Sequence, residues 1–568
     1  VLIYIAIAFL LAVMMIPTKI VLAKMLPGKS ANTFSIYVDT ATNSSMKDTE
    51  RVTSCVLEYF KHEPSVHDME VYLAQGAPLD YAGLVKGSDF KRMKNQAEIV
   101  VNLTDKHDRE EPSYLMVHRV RPEVQALCEP KATAATIKFV EMPSGPPTMA
   151  TIVVNLFGTD DLLMRKTAIE VANVLKETEG LVDVDIMQDD IYPFYEIIPD
   201  KEKIIRSGLS VEQVNNILYL AFEGMVVAVK NSKTQQDQIP IFVRLDDESR
   251  TINSNSEAGL AWKLSRLKLM NKQGMMIPVK EVVSIKEVPS DPTIFRKDLH
   301  NLVTITSECD LVSQVYPLLE ARDTLLKKLS KDFNVTKVDG MSTYMFDLNL
   351  VDKESGQKML LRWDGEMKVS LDTFRDLGGA FIAALILMFL LMVVYYKSFA
   401  LSGVILLASF LSIIGVIVGH FITDIISLIA MGTNFFLTAT SLIGFISLMG
   451  ISARSSLLLI DFSKALIEKG VEKRRAIAIS TATRAKPILM TAVAIILGSL
   501  LLSTDPIFGG LGIALIFGSI AATVVSLFLV PVLIDNIQAI CPMDSTFTPH
   551  PHPGEGIKTH VEPDELGL

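Results

Sequence analysis

Apolar residues gather in one stretch at the start of this chain, Val1 to Val21. After about 350 residues they gather again in five stretches crowded between residues 377 and 534. A helix needs about 20 such residues to cross hydrocarbon. The five are Leu377–Tyr396, Ala400–Gly419, Phe435–Ile460, Pro487–Ser503 and Phe508–Ile534. The shorter Phe421–Met431 reads as an interfacial or re-entrant piece. Six spans, one before and five after a large loop, are therefore expected. A mean hydropathy of +0.35 excludes a wholly soluble chain. The 54 basic and 64 acidic side chains among 568 residues exclude one made only of membrane helices. The net charge of −10 argues against nucleic acid as a partner, since neutralising phosphates needs a basic face.

Short loops set the orientation. The stretch after the fourth span carries Lys464, Lys469, Lys473, Arg474, Arg475, Arg484 and Lys486, and reads as cytoplasmic. The loops 420–434 and 504–507 hold no Lys or Arg and face the other side. Tracing back puts the large loop outside and both termini inside. The start at Val1, without an initiator methionine, is what a fragment of a longer protein would show.

One strand–helix–strand pattern occurs four times in the loop. Its strands are Phe34–Thr40 and Val66–Tyr72, Ala97–Asp105 and Ala135–Glu141, Thr151–Gly158 and Leu181–Met187, and Leu302–Ser307 and Phe333–Val338. Ser44 and Asp160 fit as helix N-caps. Paired βαβ units make a split-βαβ, ferredoxin-like sandwich. The expected architecture is thus a bundle of six transmembrane helices plus two ferredoxin-like βαββαβ subdomains. Copies one and two form the first, 30–145; copies three and four form the second, 148–188 with 301–345, interrupted by an insertion at 189–300. Residues 142–147 read as a turn-rich linker, 346–376 as a connector, and 538–568 as a disordered tail.

Several motifs fail. Gly28-Lys29-Ser30 resembles the end of a phosphate loop, but the glycine required five residues earlier is Ala23 and no strand precedes it. Three Asn-X-Ser/Thr triplets, at Asn43, Asn102 and Asn334, match glycosylation sequons that chance also supplies. Pro64 separates His62 from His67. Cys55, Cys128, Cys309 and Cys541 are widely spaced and read as free, mostly buried thiols. Cys541 with His550, His552 and His560 reads as part of the tail rather than as a metal site. No catalytic arrangement, cofactor site or metal site emerges.

Ionisable residues inside a span are costly and point to function. Arg454 sits about 9 Å along the helix from Ile460, at the cytoplasmic end. It can snorkel to the headgroups, or pair with carboxylates that no span of this chain supplies. Thr491 can bond its own helix backbone or join a polar path near Arg454. Gly509, Gly510, Gly512 and Gly518 allow close helix contact.

Residues 444–464 (GFISLMGISARSSLLLIDFSK) resemble helix ten of the resistance–nodulation–division (RND) efflux transporters. Residues 484–498 (RAKPILMTAVAIILG) resemble the start of their helix eleven, and Gly512 through Val530-Pro531-Val532 their helix twelve. The resemblance implies the second half of such a transporter: 1–22 as helix seven, 377–537 as helices eight to twelve, two porter subdomains, and 189–300 as the docking segment. It implies proton-driven export of hydrophobic or amphiphilic small molecules across a bacterial inner membrane. The partners implied are the missing N-terminal half, a homotrimer, a periplasmic adaptor and an outer-membrane channel. It carries a proton relay onto Arg454, Thr491 and Arg484, with Arg454 in place of a lysine; an arginine keeps its proton and serves as a fixed counter-charge. It also implies a substrate cleft between the subdomains, lined by the loop 73–96 with Gly76, Gly83 and Gly87, although these glycines equally fit a surface turn. Met142 and Met149, near the subdomain junction, open a metal-export alternative. A non-transporting sensor or assembly protein is the rival from another class.

Overall fold

The computed structural model describes residues 2–142, 145, 147–252, 256–338 and 345–537. Helix α1, Leu2–Met14, opens the chain. Its thirteen residues rise about 20 Å, short of the span expected over Val1–Val21. Turns take over before Pro17, and Lys19 adopts a left-handed backbone.

The first sheet is built from β1 (Thr33–Asp39), β2 (Val66–Leu73), β3 (Gln96–Leu103) and β4 (Thr136–Glu141). All neighbours are antiparallel, in the order β2-β3-β1-β4. Helices α2 (Met46–Phe60) and α4 (Ser113–Cys128) bury Val52, Val56, Phe60, Val117, Val120 and Val124 against it. The N-cap of α2 is Ser45, one residue past the expected Ser44, and its N–H bonds the Asp48 carboxylate. Between β2 and β3 lies the short helix α3, Tyr81–Lys86. The cysteine reading needs correction. Cys55 on α2 and Cys128 on α4 form a disulfide, with Cα atoms 5.6 Å apart. Sequence spacing hid the pair, because neighbouring helices on one sheet face bring together residues 73 apart.

The second sheet contains β5 (Ile152–Phe157), β6 (Leu181–Met187), β7 (His300–Cys309) and β8 (Phe333–Lys337). Helix α5 (Asp161–Glu177) starts at Asp160, whose carboxylate accepts from the Leu163 N–H at 3.0 Å, as expected. Helix α6 is Val315–Leu329. Two further strands, β9 (Leu348–Asp352) and β10 (Lys358–Asp364), lie between β8 and β5. The segment read as a connector is thus a hairpin inside the sheet. Alternating Leu348 and Leu350, then Met359, Leu361 and Trp363, turn into the core, a period-two signal in runs too short to stand out.

Residues 188–294 with 41–43 form a separate compact unit. Ile204, Val214, Leu264 and Val282 make its own core. Strand Pro193–Pro199 pairs with Val283–Pro289, and Met225–Lys230 with Ile239–Val243.

Among the described residues, five helices are long and apolar enough to cross a membrane. They are α7 (Glu366–Tyr396), then α8 (Phe399–Leu411) with α9 (Ile413–Met431), α10 (Ala439–Glu468), α11 (Lys473–Leu502), and α12 (Gly509–Val524) extended through a π turn to Asp535. Phe421–Met431 is therefore no re-entrant piece; α9 runs straight through it. The basic stretch after the fourth span is also mostly helix, with only 469–472 as the turn, because helices outlast their apolar runs. Gly415 and Gly419 lie against Phe517, and Gly518 against Leu448, at distances no side chain would allow.

Candidate functional site

The two sheets meet along a polar seam. Asp183 in β6 is its hub. Its backbone is left-handed, φ 53°, a conformation costing about 1–2 kcal/mol outside glycine. Its carboxylate accepts from Arg121 Nε (3.2 Å), Gln125 Nε2 (3.0 Å) and the Phe139 N–H (3.1 Å). Arg121 also donates to Asp310 (2.9 Å), which His118 bonds at 2.7 Å. Lys138 joins Asp185 (2.6 Å) to Asp39 (2.9 Å), and Lys91 adds a second ammonium to Asp39 (2.9 Å). Lys86 on α3 reaches Glu308 at 2.6 Å. Burial alone would raise the Asp39 pKa, but Lys138 and Lys91 hold it well below the ordinary range. Burial prevails at Asp183, whose pKa is raised despite Arg121.

Where the seam stops closing, a cavity of about 190 Å³ remains. Lys86, Arg121, Phe139 and Glu141 of the first subdomain face Glu308 and Asp310 of the second across it. Lys24, Glu366 and Phe436 line it from the membrane helices and their connections. Gly365 lets the chain pass from β10 into α7 there; a Cβ would lie 2.6 Å from the Ala150 carbonyl oxygen. Burial, reinforced by Glu308 against the opposing Arg121, pushes Glu141 up to about 7.

In the bundle, α10 and α11 form an antiparallel hairpin, tied where Ser480 Oγ donates to the Leu459 carbonyl (2.8 Å). Reflection about that tie puts Arg454 at the level of Ala485, next to Arg484, with Thr491 about 9 Å further along α11. Arg454 is exposed and forms no ion pair among the described residues. Arg484 lies over the Phe462 ring, 4.8 Å from its centroid, and its buried Nε finds no acceptor among the described residues. Thr491 Oγ1 donates to its own helix, at the Pro487 carbonyl (2.9 Å).

The chain, with this helix order, two sheets and a segment inserted in the second, matches the AcrB/AcrD/AcrF family signature over residues 1–537. The chain belongs to that family. AcrB/AcrD/AcrF proteins are transporters of the RND type, not enzymes. The swarming motility protein SwrC of Bacillus subtilis (strain 168) is 23% identical over 390 residues, which are 66% of this chain and 32% of SwrC. A heavy metal efflux pump solved in two crystal forms shares the fold, with TM-scores of 0.67 and 0.68 at 19% identity. Both superpositions cover 94% of this chain and 51% or 50% of the pump. The chain thus spans about half the length of these solved relatives.

In this member of the AcrB/AcrD/AcrF family, the three glycines expected in the cleft shape the loop itself. Gly76 packs under the Ser88 carbonyl, Gly83 donates to the Asp80 carboxylate at 2.6 Å, and Gly87 caps α3 at φ 95°. None of them lines the cavity; the loop's contribution to it is Lys86. Sequence reasoning also missed Arg121, Glu141, Asp183, Glu308 and Asp310. The isolated charges on alternating strands at Asp183 and Glu308 were the only signal. Met142 lines the cavity. The tail with Cys541 and its histidines lies outside the described residues.

Proposed function

We propose that this chain is the second half of an inner-membrane RND permease that exports hydrophobic or amphiphilic compounds in exchange for protons. The carrying observation is the family match along 537 residues. α1 serves as the sixth span, lengthened by residues 15–21, and the large loop faces the periplasm. The disulfide supports that side, since such bonds persist in oxidising compartments. The sheet order β2-β3-β1-β4 supports a ferredoxin-like first porter subdomain, the second being the same design widened by β9 and β10. Residues 188–294 act as the docking segment toward a periplasmic adaptor and outer-membrane channel in a trimer.

The exposed Arg454 takes its carboxylate partners from the other half, with Arg484 near its level and Thr491 about 9 Å further along α11. Those partners load and release protons while the guanidinium stays charged. Proton loading is coupled to opening of the cleft along the seam. The test is Arg454→Ala in the complete transporter, which should abolish proton-dependent export at unchanged protein level. Normal export would overturn the relay.

Metal export is the second reading, favoured by the fold shared with a heavy metal efflux pump and by Met142 in the cavity. It expects Met142→Ala or Met149→Ala to sensitise cells to copper or silver alone. A drug-only phenotype would count against it.

A further inference from the structure

We propose that His420 is a second proton-accepting group in the bundle, and that its proton sets the hydrogen-bond polarity at the N-cap of α10 through a chain of hydroxyls. The inference rests on the proton-driven reading above. His420 lies on α9 and is completely buried. Both ring nitrogens are engaged, Nδ1 with the Val416 carbonyl (2.8 Å) and Nε2 with Ser441 Oγ (2.8 Å). A carbonyl only accepts, so Nδ1 carries hydrogen and the neutral ring accepts at Nε2 from the Ser441 hydroxyl.

Ser441 belongs to the N-cap of α10. Its Oγ accepts from the Thr438 N–H (3.0 Å) and lies 3.0 Å from Thr438 Oγ1. Thr438 Oγ1 is 2.8 Å from Thr440 Oγ1, which donates to the Ile507 carbonyl before α12 (3.1 Å). The chain of hydroxyls therefore ties α9, α10 and α12 together. Gly510 closes it in, because a Cβ there would overlap Thr438 Oγ1 and Ser441 Oγ.

This arrangement accepts either protonation state without moving a heavy atom. A proton taken from the aqueous phase forms one bond, Nε2–H, and none is broken within the chain. Nε2 then donates to Ser441, whose hydroxyl rotates from Nε2 to Thr438 Oγ1. The Thr438 hydroxyl rotates from Ser441 to Thr440, and Thr440 stays on Ile507. The chain ends at a carbonyl, so it relays orientation rather than the proton itself. What changes is the polarity of the cap of α10, the helix that carries Arg454. The charged groups on the packed elements are few. On α9 there is Asp424, one turn on, whose carboxylate accepts from the Phe435 N–H (2.6 Å). Before α12 stands Asp505, bonded to the N–H groups of Ile507 and Phe508. Lys19 and Lys24 follow α1; α8 and α12 carry none, and α10 none before Arg454. An ordinary core histidine would stay neutral in such surroundings. The second acceptor waiting at Nε2 is what distinguishes this one.

The test uses the complete transporter in proteoliposomes, with His420→Gln and, in case that variant fails to fold, Ser441→Ala. Infrared titration of the imidazole in the unaltered protein is the independent measurement. The unaltered transporter should change its rate about tenfold between about pH 4 and pH 8, with imidazole protonation over the same range. Either variant should flatten that profile to about twofold. An imidazole that stays neutral throughout would overturn the proposal, and so would a variant that keeps the parental profile. If Arg454→Ala abolishes export while His420→Gln keeps the profile, only this inference fails. If Arg454→Ala exports normally, the relay reading beneath it fails first.

Discussion

Glu141 and Asp39 lie on paired strands, at opposite ends of their register, and their surroundings push them in opposite directions. Asp39 has two ammonium partners within 3 Å; the Glu141 carboxylate forms no ion pair or hydrogen bond among the described residues and faces the cavity. Its pKa, raised from 4.5 to about 7, means that folding disfavours its charge. The ectodomain should therefore lose stability as pH rises from about 4.5 toward about 7, and level off above. Glu141→Gln should remove that decline and leave the protein more stable than the parent at pH 8. Thermal unfolding at pH 5 and pH 8 reads this directly, and an unchanged slope in the variant would refute it. Asp39 has the opposite sign: its contribution is present above the ordinary Asp range and is lost as pH falls. Such residues were invisible in the sequence for one reason. Glu141, Glu308 and Lys24 become neighbours only through folding, and a lone carboxylate on a strand looks the same whether it faces water or a cavity. Arg454 stands out in the sequence because an apolar run surrounds a single charge, a pattern that needs no tertiary information.

Elements were easier to read than residues. The four strand–helix–strand copies appear as expected because their periodicities differ and turns separate them. The hairpin β9–β10 was missed because a five-residue strand carries little pattern. The ends of α10 and α11 were missed because hydrophobicity marks where hydrocarbon ends, not where a helix does. The Cys55–Cys128 bond joins two such elements, and closing a loop of 73 residues is worth about 4 kcal/mol in the chain-entropy treatment. Cys55→Ser with Cys128→Ser should lower the midpoint of ectodomain unfolding in denaturant accordingly. A membrane-impermeant thiol reagent should label these cysteines from the periplasmic side only after reduction. Labelling without a reductant would contradict the bond, and labelling only from the cytoplasm would reverse the orientation.

At the scale of the whole molecule, the seam decides how the two subdomains share work. β4 is an edge strand, and Asp183 accepts the N–H that its edge presents at Phe139. Asp183→Ala should leave that amide without its acceptor and Arg121 with Asp310 alone. Hydrogen exchange at Phe139 should then speed up by about tenfold or more, as expected for a freed local opening. Exchange as slow as in the parent would mean the seam adds nothing to closure. The membrane helices differ in how much neighbour they have. Only 6% of the apolar window of α7 and 17% of that of α11 is buried, against 61% for α8–α9. Those bare faces, with Arg454 exposed, are where lipid or further helices must lie.

The second sheet also dictates an order of events during synthesis. The first subdomain has all its strands, and both disulfide cysteines, once Glu141 has been made. The second cannot close so early, because Val153 must wait for Asp364 to pair with it. In that interval the ribosome makes the inserted segment 188–294, while β5 stands with both edges empty. Asp364 arrives only two residues before α7 begins. The second sheet therefore stays unfinished until just before the main membrane helices are made, and until then it has only chaperones to cover its open edges.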